Sequence, residues 1–278
     1  MKQAKYDSGN QGSSIRYCIQ LPSIKYRTAL ELQHNLVDAR TAHKMDANIL
    51  LLLEHPRVFT LGRHGGRENL MVSEAFLKKS DISLIQVERG GDITYHGPGQ
   101  LVGYPIIDLK TAGMDVHTYV SRLEDIMILT AMDCGVDAGR NSKNRGIWVG
   151  NDKMGSIGIS IRHGITFHGF ALNVNLSLEP FSWINPCGLA DIGMTSIARE
   201  TGHNISMDQV RQFIRRHMED VFEIEIRDFE PETHGLDIVD RILKKFCPAD
   251  SVGRKFYRTQ PLNPEPVNHE STNRQSNP

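Results

Sequence analysis

The chain has 278 residues, 39% of them hydrophobic and 23% charged, enough apolar material for a sizeable globular core. A formal net charge of -1 argues against wholesale nucleic-acid binding, because counterion release needs a basic excess. The longest apolar run, Ile49 to Leu53, is far too short for a membrane span, and the polar N-terminus has no apolar stretch of the secretory kind. Cys18, Cys134, Cys187 and Cys247 show neither CxxC spacing nor disulfide-scaffold density, which is the pattern of free thiols in a cytoplasmic protein.

Residues 1–14 are polar and read as a disordered tail; so does the Pro-, Asn- and Ser-rich stretch 260–278. Residues 15–259 read as one domain. Ser23 is placed to cap a first helix, in which Ala29, Leu32, Leu36 and Ala39 recur at helical spacing. Strands are expected at Ile49–Leu53, Val58–Leu61, Ser83–Val87 and Leu101–Ile107. A second helix starts at Asp115, puts Val116, Val120, Leu123, Met127, Ala131 and Cys134 on one face, and stops at Gly135. Gly146–Val149, Met154–Ile161 and Phe167–Val174 form a meander with turns at Asn151-Asp152 and His163-Gly164. A capping-box pattern, Ser206 to Gln209, opens a third helix that buries Val210, Phe213, Ile214 and Val221. Helices between groups of strands, followed by consecutive hairpins, predict an α/β (α+β) domain on a mixed sheet.

The densest chemical signal is Arg89-Gly90-Gly91-Asp92-Ile93-Thr94-Tyr95-His96-Gly97-Pro98-Gly99-Gln100. Glycines at this density let a backbone approach a ligand and present N–H groups to it. The segment is neither a Walker loop nor a dinucleotide fingerprint. Taken alone, a Gly-rich hairpin with solvated Arg89 and His96 is an equal reading. Cys187 lies in a loop between Pro186 and Gly188, although a lone cysteine is ordinarily structural. Lys153 opens a strand whose Gly155, Ser156 and Gly158 leave room for a ligand, although a strand-end lysine is ordinarily a solvated charge. Nothing in the spacing shows that Lys153 and Cys187 meet.

Five segments in order, EHPRVFTLGRHG, RGGDITYHGPGQLVGYPIIDL, RGIWVGNDKMGSIGISI, TFHGFALNVN and INPCGL, resemble the lipoyl(octanoyl) transferase family, the octanoyl-[acyl-carrier-protein]:protein octanoyltransferases. The resemblance implies a mixed-sheet catalytic domain of the biotin/lipoate protein ligase type across 15–259. It gives Cys187 the nucleophile position and Lys153 that of its partner. Arg89, Gly90, Gly91, Asp92, Ile93, Thr94, Tyr95 and His96 align with segments lining the acyl site, as do Ser156, Ile157, Gly158, Gly169, Phe170 and Ala171.

The implied donor is octanoyl-acyl carrier protein. The implied acceptors are the lipoyl domains of 2-oxoacid dehydrogenase complexes and the glycine cleavage H protein. No cofactor, metal, nucleic acid or membrane is implied. A thiolate exchanges acyl groups with a thioester at little thermodynamic cost, and a neighbouring ammonium favours the thiolate over a thiol of pKa about 8.5. Lys153 would activate Cys187 and later deprotonate the incoming amine. His96 and His168 are candidates to orient the thioester, and Arg63, Arg67, Arg145 and Arg162 to dock acidic partners. The competing readings are an ATP-dependent lipoate–protein ligase of the same fold, a thiol hydrolase and a non-catalytic acyl- or carrier-binding protein.

Overall fold

A computed structural model describes residues 15–186, 192–229 and 238–247. The expected tails and Cys187 lie outside the described residues. β1 (Ile15–Ser23) leads into α1 (Tyr26–Thr41), and Ser23 ends the strand rather than capping the helix; Lys25 stands at the N-cap with no side-chain bond. Ala29, Leu32, Leu36 and Ala39 are buried, as the periodicity requires. β2 (Ala47–Glu54) and β3 (Val58–Leu61) follow. α2 (Glu74–Lys79), too short to leave a periodic signal, is capped by Ser73 accepting from the Phe76 N–H. β4 (Ser83–Gln86), β5 (Ile93–His96) and β6 (Gln100–Ile106) come next, so half of the Gly-rich segment is itself a strand.

Asp115 caps α3 (Val116–Asp133) by accepting from the Thr118 N–H at 2.7 Å. Val116 is an exception to its apolar face and stays 46% exposed, because the first turn overhangs the core. The meander is β7 (Gly139–Asn141), β8 (Asn144–Val149), β9 (Asp152–Arg162) and β10 (Ile165–Asn173). Positive φ at both His163 and Gly164, 53° and 85°, makes their hairpin the mirror-image turn that matches strand twist. β11 (Gly193–Met194), α4 (Ile197–Thr201), α5 (Met207–Phe222), β12 (Arg227–Asp228) and α6 (Ile238–Phe246) complete the described chain. Ser206 caps α5, and Val210 and Ile214 are buried; Phe213 and Val221 are only half-buried, Phe213 lying under the Arg216 guanidinium.

Among the described residues the large sheet runs β12-β1-β2-β6-β10-β9-β8-β7, with β11 added parallel to β9, and a small sheet runs β4-β3-β5. Both mix parallel and antiparallel pairings. Successive residues of β2 face opposite cores: Leu50 and Leu52 pack with α3 and α5, while Ile49, Leu51 and Leu53 pack with α1 and α6. That two-sided burial is why β2 reads as a continuous apolar run.

One irregularity bears on the site. Two residues on from the Phe170–Gly103 pair, Pro105 has no N–H to offer β10. There His168 takes φ 55°, a left-handed conformation unusual for histidine, and its N–H donates to Gln33 Oε1 of α1 at 2.7 Å.

Candidate active site

Segment 89–96 lies over β9 and β10, tied down by the Gly90 N–H donating to the Ile159 carbonyl at 2.9 Å. A pocket between them is lined by residues 89–94 and His96, by Ser156, Ile157 and Gly158 of β9, and by His168, Gly169, Phe170 and Ala171 of β10. It therefore gathers every acyl-site residue named from the sequence except Tyr95, which turns away to pack on Phe59 and Phe181. Tyr26, Val102, Tyr104 and Asn144 complete the wall. No local sequence pattern links these four, which come from α1, β6 and β8. A larger cleft on the other face of the sheet, near Arg16 and Arg122, is lined by no cysteine, lysine or histidine among the described residues.

Arg89 and His96 are buried, so the solvated hairpin reading fails. Arg89 donates from Nε and Nη2 to Thr60 Oγ1, from Nη2 to the Thr60 carbonyl at 2.7 Å and from Nη1 to the Gly90 carbonyl at 3.0 Å. Its stem lies across Gly158, where a Cβ would meet Arg89 Cδ at 3.0 Å and the Gly90 carbonyl at 3.1 Å. That contact, rather than turn geometry, is what glycine is needed for at this position.

One end of the pocket is a set of buried rings: Tyr26, His55, His96, Tyr104 and His168. His55 Nδ1 donates to the Ile24 carbonyl at 2.8 Å, so its Nε2 accepts from the Tyr104 hydroxyl at 2.8 Å. His96 Nδ1 donates to Gln100 Oε1 at 2.7 Å, Gln100 Nε2 being committed to the Tyr95 carbonyl and Asn173 Oδ1. His168 Nδ1 lies 3.3 Å from the Tyr26 hydroxyl, and its buried Nε2 has no hydrogen-bond partner among the described residues. Burial holds His55 down at about 4 and His168 at about 3, with Arg89 adding to the depression of His168. His96 is likewise held well below the ordinary histidine value, by burial first and then by His55. At neutral pH all three rings are uncharged.

Lys153 stands behind the pocket wall and meets it at Asn144. It is 1% exposed, donates to Asn144 Oδ1 at 3.3 Å, and sits 5.2 Å from the Trp148 ring centre. The Gly146 backbone, at φ 121°, makes room: a Cβ there would meet the Gly155 carbonyl at 2.2 Å and Lys153 Cε at 3.0 Å. The reading of Lys153 as a solvated strand end therefore fails. Gln100 and Asn173 continue the His96 chain to the Thr195 carbonyl, and the Thr195 N–H donates to the Lys153 carbonyl at 3.0 Å. Both stand inside sequence segments already singled out, yet neither was read as part of the site.

Cys187 follows directly on Pro186 in the chain and is not described. Burial raises the other three thiols, Cys18 to about 12, Cys134 to about 11 and Cys247 to about 12. None of these three is a candidate nucleophile. The arginines read as docking residues all have partners: Arg63 bonds Ser160, Arg67 pairs with Glu74, Arg145 with buried Glu124, and Arg162 with Asp38.

Residues 25–219 match the family model of the lipoyl protein ligase A/B catalytic domain. The same fold is seen in a lipoate protein ligase of Thermoplasma acidophilum, at 18% identity and TM-score 0.61 over 84% of this chain and 92% of that one. It recurs in lipoate-protein ligase A bound with ATP, at 17% identity and TM-score 0.58 over 84% and 94%. Closer in sequence are the octanoyltransferases of Desulfotalea psychrophila, 46% identical over 75% of this chain and 94% of that protein, and Caldicellulosiruptor bescii, 47% identical over 73% and 89%. The chain belongs to the lipoyl(octanoyl) transferase family and is an acyltransferase.

Proposed function

We propose that the enzyme moves an octanoyl group from octanoyl-acyl carrier protein to the lysine amine of a lipoyl domain, through a thioester on Cys187. The observation that carries this reading is the pocket lined by residues 89–94, 156–158 and 169–171, with buried Lys153 donating to Asn144 on its wall. The Cys187 thiolate attacks the donor thioester carbonyl, the carrier thiolate leaves, and a proton passes to it from the ammonium of Lys153. Neutral Lys153 then takes the proton of the acceptor amine as that amine attacks the Cys187 thioester, and the cysteine leaves as thiolate. The alkyl chain runs toward the Tyr26, Tyr104 and His168 rings. Burying four more methylenes favours octanoyl over butanoyl by about 3 kcal/mol.

Intact-mass measurement of the protein mixed with octanoyl-acyl carrier protein, without ATP, tests this. The expected product is a hydroxylamine-labile octanoyl adduct that disappears in Cys187→Ala. Transfer that persists in Cys187→Ala, or appears only with ATP, would overturn the reading in favour of adenylate chemistry.

A further inference from the structure

Residues 62–71 touch both halves of the site. On one side the Gly62 N–H donates to the Asp92 carbonyl at 3.2 Å, Arg63 N–H to the Arg89 carbonyl at 2.9 Å and His64 N–H to the Gly91 carbonyl at 3.2 Å. On the other side Leu70 pairs with Ile184 as an antiparallel bridge, and the Met71 N–H donates to the Trp183 carbonyl at 2.8 Å. Asn69 joins the two. Its Nδ2 donates to Asp92 Oδ2 at 2.7 Å, while Asp92 Oδ1 accepts from the Ile93 N–H at 2.5 Å. Its carbonyl accepts from the Asn185 N–H at 2.9 Å, and its Oδ1 is 3.4 Å from Asn185 Nδ2.

The Asp92 carboxylate, on the wall of the acyl pocket, is thus two bonded residues away from Asn185, which stands two positions before Cys187. A half-buried carboxylate has a strong preference for keeping both oxygens bonded, so the link is directional and costly to break.

We infer that Asn69 is a positioning residue, which sets the segment leading into Cys187 against the acyl-binding segment through Asp92 and Asn185. This rests on Cys187 being the nucleophile. Held on one side by residue 92 and on the other by Asn185, Asn69 would set the distance between the nucleophile's segment and the bound thioester. Errors of about 1 Å in such distances cost up to roughly a hundredfold in rate.

The test compares Asn69→Ala, Asn69→Asp and the exchange Asn69→Asp with Asp92→Asn. The exchange reverses the donor of the 69–92 bond but keeps a bond from residue 92 to Ile93 and an acceptor for Asn185. Single-turnover octanoylation from octanoyl-acyl carrier protein is followed by intact mass, with thermal melting as a control for folding. Asn69→Ala is expected to lower the acylation rate by about tenfold or more with the donor KM changed far less. Asn69→Asp, which sets two carboxylates together, should be slower still, and the exchange should recover at least about tenfold over Asn69→Asp.

Acylation in Asn69→Ala within about twofold of wild type, or an exchange no faster than Asn69→Asp while both melt like wild type, would overturn the proposal. Should any variant fold poorly, iodoacetamide labelling of Cys187 in wild type and in the folded variant supplies a second measure, and equal rates would count against positioning. Failure of the nucleophile reading looks different: wild type would then form no octanoyl adduct, or Cys187→Ala would still transfer octanoyl to the acceptor.

Discussion

Three neutral histidines buried beside the acyl pocket make the fold sensitive to mild acid. In the unfolded chain each histidine titrates near 6.5, whereas His55 is held at about 4 and His168 at about 3 in the fold. A histidine with a depressed folded pKa contributes stability that is complete above the unfolded value and is lost as pH falls toward the folded one. Taking pH from 6.5 to 4.5, each of these two gives up roughly 2 kcal/mol, about 4 together, against a typical total of 5–15.

His96 acts in the same direction. Glu88, held at about 2 by its bond to His34, loses its contribution only below about 4.5, outside this window. Urea unfolding at steps of half a pH unit should therefore show stability falling steeply from pH 6.5 downward. In His55→Gln, which does not titrate, the fall should be shallower by about one histidine's worth, up to roughly 1.4 kcal/mol per pH unit. A flat profile between pH 6.5 and 5, or an unchanged slope in His55→Gln, would refute the argument that these rings are buried neutral.

Other outcomes follow from single contacts. Lys153→Met should lower octanoyl transfer by at least about a hundredfold in a single-turnover assay, with the melting temperature kept near wild type because the replacement fills the same space. Gly158→Ala should raise the KM for the octanoyl donor by about tenfold, since its Cβ would press on Arg89 Cδ at 3.0 Å and displace the segment over the pocket. An unchanged KM would mean that the segment moves freely. Glu124, 2% exposed, accepts from Arg140, Arg145 and the Gly146 N–H. Glu124→Ala should cost about 2 kcal/mol in denaturant unfolding, less than a fully buried pair because both guanidiniums stay half-exposed.

The parts of the fold that could be read from the chain are those with a strong local cause. Leu50 and Leu52 against Ile49, Leu51 and Leu53 give an apolar run because both faces are covered, and Asp115 and Ser206 stand where a helix needs an acceptor for its first N–H groups. α2 and α4 escaped because five or six residues are too few to show a period; α6 did carry one, in Ile238, Val239, Ile242, Leu243 and Phe246, and was passed over. The Gly-rich segment was visible as a ligand-facing loop, but not as β5, whose partner β3 lies more than thirty residues earlier. Within the site, Tyr26, Tyr104 and Asn144 come from three separate elements and His55 from the loop between β2 and β3, and no spacing along the chain brings such residues together. Tertiary packing alone does that. Asn69 escaped for the same reason, although it lies only a few residues past one of the segments that carried the resemblance.

The arrangement of charge along the pocket explains why its far end is built from imidazoles and phenols rather than from plain apolar side chains. Phenylalanine would bury similar area at no polar cost, but it would not be held in one orientation. Here His55 is fixed by the Ile24 carbonyl and the Tyr104 hydroxyl, and His96 by Gln100, so the rings gain defined positions from bonds that leave them uncharged. Arg89 contributes to that neutrality: its fixed positive charge opposes protonation of His96 and His168. Lys153 stands at 1% exposure between Asn144, on the pocket wall, and Trp148. On the function proposed above, an acyl chain in this pocket would lay its apolar tail against the rings and turn its carbonyl toward the side of Asn144, behind which Lys153 stands.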